Sequence, residues 1–137
     1  MPAEGRTLAI DPGRARVGLA MSDPLGVTAQ GLETYERGRG SFLDHLAGLI
    51  AAHSITRIVV GYPLNMDGSE GEAALSARRL SETLRVRFGL SVQLWDERLS
   101  SVAAHKAFPP GKRRDWDAVA AVLILQSYLD ARDKGEA

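Results

Sequence analysis

Apolar and polar positions alternate through the first third of the chain, and then the period changes. Arg6 to Asp11 is a short apolar run, Leu8-Ala9-Ile10 at its centre, closed by the turn signal Pro12-Gly13. Arg16 to Ser22 resumes with Val17, Leu19 and Met21 alternating against smaller residues, and Val27 to Tyr35 reads as a third strand before the turn Arg37-Gly38-Arg39-Gly40. Three strands this close in sequence predict an antiparallel meander. From Ser41, a plausible N-cap, the spacing becomes helical: Phe42, Leu46, Leu49 and Ile50 share one face of a predicted helix from Phe42 to His53.

Helices and strands then alternate. Arg57 to Gly61 contains Ile58-Val59-Val60, a buried strand by its β-branched content. Tyr62 to Glu72 reads as a loop, broken by Pro63, Asn65, Asp67, Gly68 and Gly71. A helix follows from Ala73 to Phe88, stopped by Gly89, and then a strand from Ser91 to Glu97. Ser100 to Phe108 predicts a short helix ended by Pro109-Pro110-Gly111. The last helix, Asp115 to Arg132, sets Ala118, Ala121, Val122, Leu125 and Leu129 at helical spacing. The order β-β-β-α-β-α-β-α-α predicts an α/β fold. Its sheet is five-stranded and mixed, a three-strand antiparallel meander plus two parallel strands, with helices on its faces.

A length of 137 residues, 45% of them hydrophobic and 25% charged, suits a single domain spanning 1–137. No apolar run approaches the roughly 20 residues that span a bilayer, and Met1 to Arg6 lacks the form of a signal peptide. A cytoplasmic protein without a membrane partner is the expectation. There is no cysteine, so any metal would be held by oxygen or imidazole. The 17 basic and 17 acidic residues cancel, which argues against a chain that coats nucleic acid by bulk charge.

Three acids stand at the ends of core-like segments: Asp11 closes the first strand, Glu97 closes the last, and Asp117 opens the final helical pattern. If the strands beginning at Arg6, Arg57 and Ser91 are parallel neighbours, their C-terminal ends share one edge, where open α/β sheets place ligands. Carboxylates gathered there would repel one another unless a hard divalent cation joined them. One or two Mg²⁺ or Mn²⁺ ions suit such oxygen ligands and the cleavage of phosphodiesters. Plainer roles remain open: Asp11 as a turn former, Asp117 as an acid at a helix start, Glu97 paired with Arg98, Asp115 as an N-cap. Asp96 and Glu97 should face opposite sides of the strand, and spacing does not choose between them.

Local basic groups surround these acids: Arg14 and Arg16 after Asp11, Arg98 after Glu97, and Lys112-Arg113-Arg114 before Asp117. Each could contact phosphate or be an ordinary solvated cluster. The loop holding Asn65 precedes a helix whose first amides could meet a phosphate. His45, His53 and His105 are expected not to be ligands.

Four blocks resemble one known family. They are Ile10-Asp11-Pro12-Gly13 through Arg16-Val17-Gly18-Leu19-Ala20, Val60-Gly61-Tyr62-Pro63-Leu64-Asn65-Met66-Asp67-Gly68, Trp95-Asp96-Glu97-Arg98-Leu99-Ser100-Ser101, and Asp117 through Leu129. In this order they are similar to the YqgF-type family of RuvC-like nucleases, associated with pre-16S rRNA processing and with Holliday junction resolution. The resemblance implies an RNase H-like fold and a two-metal nuclease acting on pre-rRNA or branched DNA. It implies Asp11, Glu97 and Asp117 as metal and catalytic carboxylates, and so favours Glu97 over Asp96. The implied phosphate contacts are Arg14, Arg16, Asn65, Arg98, Lys112, Arg113 and Arg114. The chain departs from RuvC-type resolvases at Ala120, where they carry a further ligand about one turn after the last aspartate. A second ion would then be held with one acid fewer, or through water or Asp96.

Two other functions fit parts of the pattern. Asp11, Gly13 and Gly18 also resemble the phosphate loop of actin-like and sugar-kinase ATPases, which need two such domains. Ala120 and the neutral net charge fit a nuclease-like fold kept as an RNA- or ribosome-binding module. Symmetric cutting of a four-way junction would require two active sites, hence a homodimer.

Overall fold

The computed structural model describes residues 5–102 and 113–136, with the backbone alone for 113–115. Five strands form one sheet: β1 (Arg6–Asp11), β2 (Arg16–Ser22), β3 (Ala29–Glu36), β4 (Ile55–Tyr62) and β5 (Ser91–Asp96). Their spatial order is β3-β2-β1-β4-β5. The first three pair antiparallel as the expected meander, and β4 and β5 add in parallel to β1. Three helices cover the sheet: α1 (Phe42–His53), α2 (Glu72–Phe88) and α3 (Arg113–Asp133). None of the described helices is long and apolar enough to cross a membrane.

Strand alternation sorts the apolar side chains into two layers. Leu8, Ile10, Val17, Leu19, Ile58 and Val60 point to one face, where Leu46 of α1 and Ala77 and Leu84 of α2 cover them. Ala9, Ala20, Val59 and Trp95 point to the other, against Trp116, Ala120, Ala121, Ile124, Leu125, Tyr128 and Leu129 of α3. Gln126 fixes α3 to the start of β3 by accepting from the Ala29 amide at 3.0 Å and donating to the Val27 carbonyl at 3.1 Å.

Caps explain several element ends. The Ser41 hydroxyl accepts from the Asp44 amide, and Gly89 ends α2 in the left-handed conformation at φ 65°. Several boundaries differ from the sequence pattern, some, such as the start of α2 at Glu72, by a single residue. β3 begins at Ala29 rather than Val27, because Asp23 Oδ1 takes the amides of Val27 and Thr28 into a turn at 2.7 and 2.8 Å. β4 reaches from Ile55 to Tyr62, longer than its β-branched centre. β5 stops at Asp96, whose carboxylate accepts the Arg98 amide and folds Glu97–Leu99 into a single 3-10 turn. α3 begins at Arg113, so Asp115 lies inside the helix and is not its N-cap. The helix expected from Ser100 to Phe108 lies, from residue 103 onward, outside the described residues, as does His105.

Candidate active site

Two strand positions without side chains bring the elements that carry Glu97 and Asp117 onto the sheet near the end of β1. Asp11 ends β1 on the same face as Ala9, the face covered by α3. Its antiparallel partner is Gly18 of β2. A Cβ on Gly18 would lie 1.9 Å from the carbonyl oxygen of Asp117, so the backbone of α3 rests directly on this glycine. On the other side of β1, Ile10 pairs with Val60, which sets Gly61 next in line beside Asp11. A Cβ on Gly61 would meet Glu97 Oε2 at 2.9 Å and Ile124 Cδ1 at 2.8 Å. The Glu97 carboxylate therefore lies over the bare backbone of Gly61. Gly18 delivers Asp117 to the corner and Gly61 delivers Glu97, with Asp11 on the strand between.

Burial separates these acids from ordinary surface carboxylates. Asp11 and Glu97 are each only 6% exposed. Asp117 is half-buried, and its Oδ2 accepts from Arg16 Nε at 2.6 Å. Arg16 begins β2 on the face of Gly18 and Ala20, so its guanidinium reaches the first turns of α3. No group of three or more histidine, aspartate or glutamate side chains among the described residues is drawn together as a ready metal cage. Asp11 and Glu97 are buried hard-oxygen donors of the kind a divalent cation takes, and one oxygen of Asp117 is turned to the Arg16 guanidinium.

Asp96 is directed elsewhere. Arg98 grips it through Nε and Nη2, at 3.0 and 2.7 Å to Oδ2, and those bonds hold its carboxyl below the usual carboxylate range. The same guanidinium donates to the Met66 carbonyl at 3.3 Å, tying the β5 turn to the loop after β4. Asn65 serves that loop internally, with Nδ2 donating to Ser69 Oγ at 2.9 Å. Tyr62 donates to Glu70, which Arg78 also grips, and together these bonds lower the Glu70 pKa.

Arg14 is exposed and 3.8 Å from Glu72. It lines a cavity of about 460 Å³ with Pro12, Gly13, Arg37 and Glu72, beside the turn that follows Asp11. Arg37 was not singled out in the sequence as a site residue; its Nε donates to the Gly13 carbonyl at 2.7 Å and braces the turn. Gly61 has no role of its own in the sequence reading, and Gly18 has one only in the ATPase reading, although a glycine inside a strand is a signal of close backbone approach. Lys112 and the side chains of Arg113 and Arg114 lie outside the described residues. His45 is half-buried, 2.9 Å from Glu33 and stacked near Tyr35, and not at the acid corner.

Comparison with known proteins gives the same lineage at several levels. The family model RuvX, described as Holliday junction resolvase, matches residues 5–131. The chain is 45% identical over 133 residues to a Myxococcus xanthus protein named "Putative pre-16S rRNA nuclease", covering 92% of this chain and 88% of that one. A Geobacillus kaustophilus protein of the same name is 43% identical over 136 residues, covering 93% and 99%. Thermus thermophilus RuvC, solved in complex with a Holliday junction substrate, shares the fold with a TM-score of 0.55 at 17% identity, covering 97% of this chain and 98% of that one. The RNase H-like architecture implied by the resemblance, with the mixed sheet expected from the element order, is thus the observed one. The match along nearly the whole chain also stands against the ATPase reading of Asp11 and Gly13. With its fold, its motif blocks and these relatives in agreement, the chain belongs to the RuvX family of nucleases.

Proposed function

We propose that this nuclease hydrolyses phosphodiester bonds in structured RNA, processing the 5′ end of pre-16S rRNA in the cytoplasm, with Asp11, Glu97 and Asp117 as its working carboxylates. The observation that most supports the reading is that the Asp117 backbone rests on Gly18, the strand partner of Asp11, while the Glu97 carboxylate lies over Gly61 of the next strand. The names of the full-length relatives support the substrate.

Asp11 and Glu97 would hold Mg²⁺ or Mn²⁺, with Asp117 completing a second position. A divalent ion there would supply Lewis-acid stabilisation of charge on the phosphoryl and leaving oxygens and would favour deprotonation of the attacking water. The residues themselves do the rest. Burial of Asp11 and Glu97 against Ile124 and the sheet keeps bulk water from screening their charge. Arg14, at the mouth of the cavity beside Pro12 and Gly13, is placed to contact a phosphate of the bound strand. Arg98 secures Met66 and the β4 loop, and with Asn65 it shapes one wall for the substrate. Arg16 is bound through Nε to Asp117, and its Nη groups would be the ones to meet a phosphate. Lys112, Arg113 and Arg114, three consecutive cations in the sequence, would add phosphate contacts.

A DNA endonuclease of the resolvase type is the second reading, supported by the description of the family model. It would require a homodimer, since symmetric junction cleavage needs two sites. One panel separates the readings. A pre-16S rRNA fragment, a four-way DNA junction and single strands are incubated with Mg²⁺, Mn²⁺ or chelator, beside Asp11→Asn. Cleavage of the RNA fragment that is lost in chelator and in Asp11→Asn, with the variant still folded, is the expected result. Activity retained by Asp11→Asn would overturn the site, and junction cleavage by a sedimenting dimer without RNA cleavage would overturn the substrate.

A further inference from the structure

The turn after Asp11 is held more firmly than a strand connection requires. A Cβ on Gly13 would lie 2.4 Å from the Arg16 carbonyl oxygen, so the chain doubles back tightly there. Arg37, just past the end of β3, braces the same turn. Its amide donates to the Ala15 carbonyl at 2.9 Å and its Nε to the Gly13 carbonyl at 2.7 Å. Its guanidinium also stands over the Phe42 ring, 5.7 Å from the centroid. Three contacts thus fix a side chain that would otherwise sweep through solvent. Between this turn and the first turns of α2 lies the cavity of about 460 Å³, within the roughly 300–1,000 Å³ of small-ligand sites. Pro12 and Leu80 give it apolar surface, Arg14 and Arg37 supply donors, Glu72 supplies an acceptor and Ser76 either. A bare phosphate suits such a wall poorly, because the Glu72 carboxylate opposes it. A nucleobase suits it well. Its faces are flat and stack on guanidinium planes, and its edge carries donors and acceptors together.

We propose that this cavity takes one unpaired nucleobase of the substrate strand, beside the phosphate that is cut. Asp11 and Pro12 are consecutive, so the wall of the cavity continues directly from the strand end that carries the acid. Asp11 lies on the face covered by α3, whereas Leu80 belongs to α2 on the opposite face of the sheet. A nucleic-acid strand crossing that edge would present a phosphate on one side of the turn and a neighbouring base on the other. A base inside a helix cannot enter, since its edge is paired and its faces are stacked. The cavity would therefore confine cleavage to places where a base is bulged, looped out or at an end. Arg37 is its specificity-determining residue, held ready by Gly13, Ala15 and Phe42. Base capture itself requires no metal; its link to cleavage rests on the nuclease reading proposed above.

The test compares two labelled hairpin RNAs that differ in one bulged nucleotide, intact in one and abasic in the other. Their affinities for the full chain are read by fluorescence anisotropy in chelator, for wild type and Ser76→Leu. Ser76 is exposed on α2, and leucine narrows the cavity without offering an aromatic face or a charge. Wild type should bind the intact bulge about tenfold more tightly than the abasic one. Ser76→Leu should bind the two alike. Equal affinities in the wild type, or discrimination kept by a folded Ser76→Leu, would overturn the proposal. A second readout needs no cavity variant: the Leu80 methyl signals of the wild type, assigned by NMR from their loss in Leu80→Ile. They should shift with the intact bulge, through the ring current of the base, and much less with the abasic RNA. Signals that move equally with both RNAs, or with neither, would overturn it as well. A cleavage arm in Mg²⁺ separates the two readings. Discrimination in binding with no cut in either RNA would leave the base site standing and overturn the nuclease reading. Equal cleavage of both RNAs at equal affinity would do the reverse. A cut remote from a tightly held bulge would overturn the link between the cavity and the cleaved phosphate.

Discussion

Replacing Gly61 by alanine adds one methyl group beneath the Glu97 carboxylate and tests whether that carboxylate must lie on bare backbone. The new Cβ would stand 2.9 Å from Glu97 Oε2 and 2.8 Å from Ile124 Cδ1. Carbon atoms settle at about 3.5–4.0 Å, so each neighbour must retreat by roughly 0.5–1 Å. Both obstructing atoms are side-chain ends, which keeps the stability cost near the low end of the overpacking range, about 1 kcal/mol. Activity should suffer more. A carboxylate misplaced by that distance typically costs about 10²-fold in rate, because the reacting groups no longer meet. Urea unfolding and single-turnover cleavage of the pre-16S rRNA fragment, run on the same preparation, measure the two effects. A folded Gly61→Ala that cleaves within about threefold of wild type would refute the placement of Glu97 in the site. Gly18→Ala makes a useful contrast. Its Cβ would sit 1.9 Å from the Asp117 carbonyl oxygen, a backbone atom that no rotamer change can move. The helix must lift from the sheet, so stability should fall by about 3 kcal/mol or more, and cleavage with it.

Two further outcomes check the surroundings. Gly48 is an exposed position within α1, with nothing within 4 Å of an added Cβ; Gly48→Ala should stabilise by about 0.5–1 kcal/mol in urea and leave cleavage unchanged. Asp96 has its pKa lowered from 3.8, chiefly by the Arg98 side chain. A depressed carboxylate contributes stability above its unfolded pKa and loses it as pH falls through the folded value. Arg98→Ala should therefore lower the urea midpoint slightly at neutral pH, the pair being partly exposed, and the deficit should vanish below the folded pKa. An equal deficit at pH 7 and at the acid limit would show that Arg98 acts through packing on the loop and not through its charge.

Much of the fold was written in local pattern. The β-branched run Ile58-Val59-Val60, the cap at Ser41 and the stop at Gly89 each declare an element within a few residues, and the structure has them where the pattern put them. The boundaries that differ depend on side chains reaching beyond that window: Asp23 capping the amides at 27 and 28, and Asp96 turning the chain at Arg98. The three acids stood out as candidates because each marks an edge of a core-like segment. Their pairing did not. Arg16 and Asp117 are 101 positions apart, and only the packing of α3 on Gly18 joins them. Sequence reading had assigned Arg16 to phosphate, and its bond to a candidate ligand acid was invisible without register.

The location of the corner follows from the mixed character of the sheet. β1 has an antiparallel neighbour, β2, on one side and a parallel neighbour, β4, on the other. At its C-terminal end the chain therefore faces the beginning of β2 and the end of β4 together, a switch point where no crossover helix starts directly above both. Asp11 ends β1 in that corner and is nonetheless buried, only 6% exposed, beneath the elements that pack over Gly18 and Gly61. That packing explains why glycine stands at the flanking positions. A side chain at Gly18 would collide with the α3 backbone, and one at Gly61 with Glu97. Removing both Cβ atoms lets a helix and a 3-10 turn, from distant parts of the sequence, close over the same strand end. A mixed sheet of this order thus does more than carry the acids. It creates a recess at Asp11 whose depth is set by two missing side chains, so the spacing of the carboxylates should respond to Gly18 and Gly61 before it responds to any residue of the outer surface.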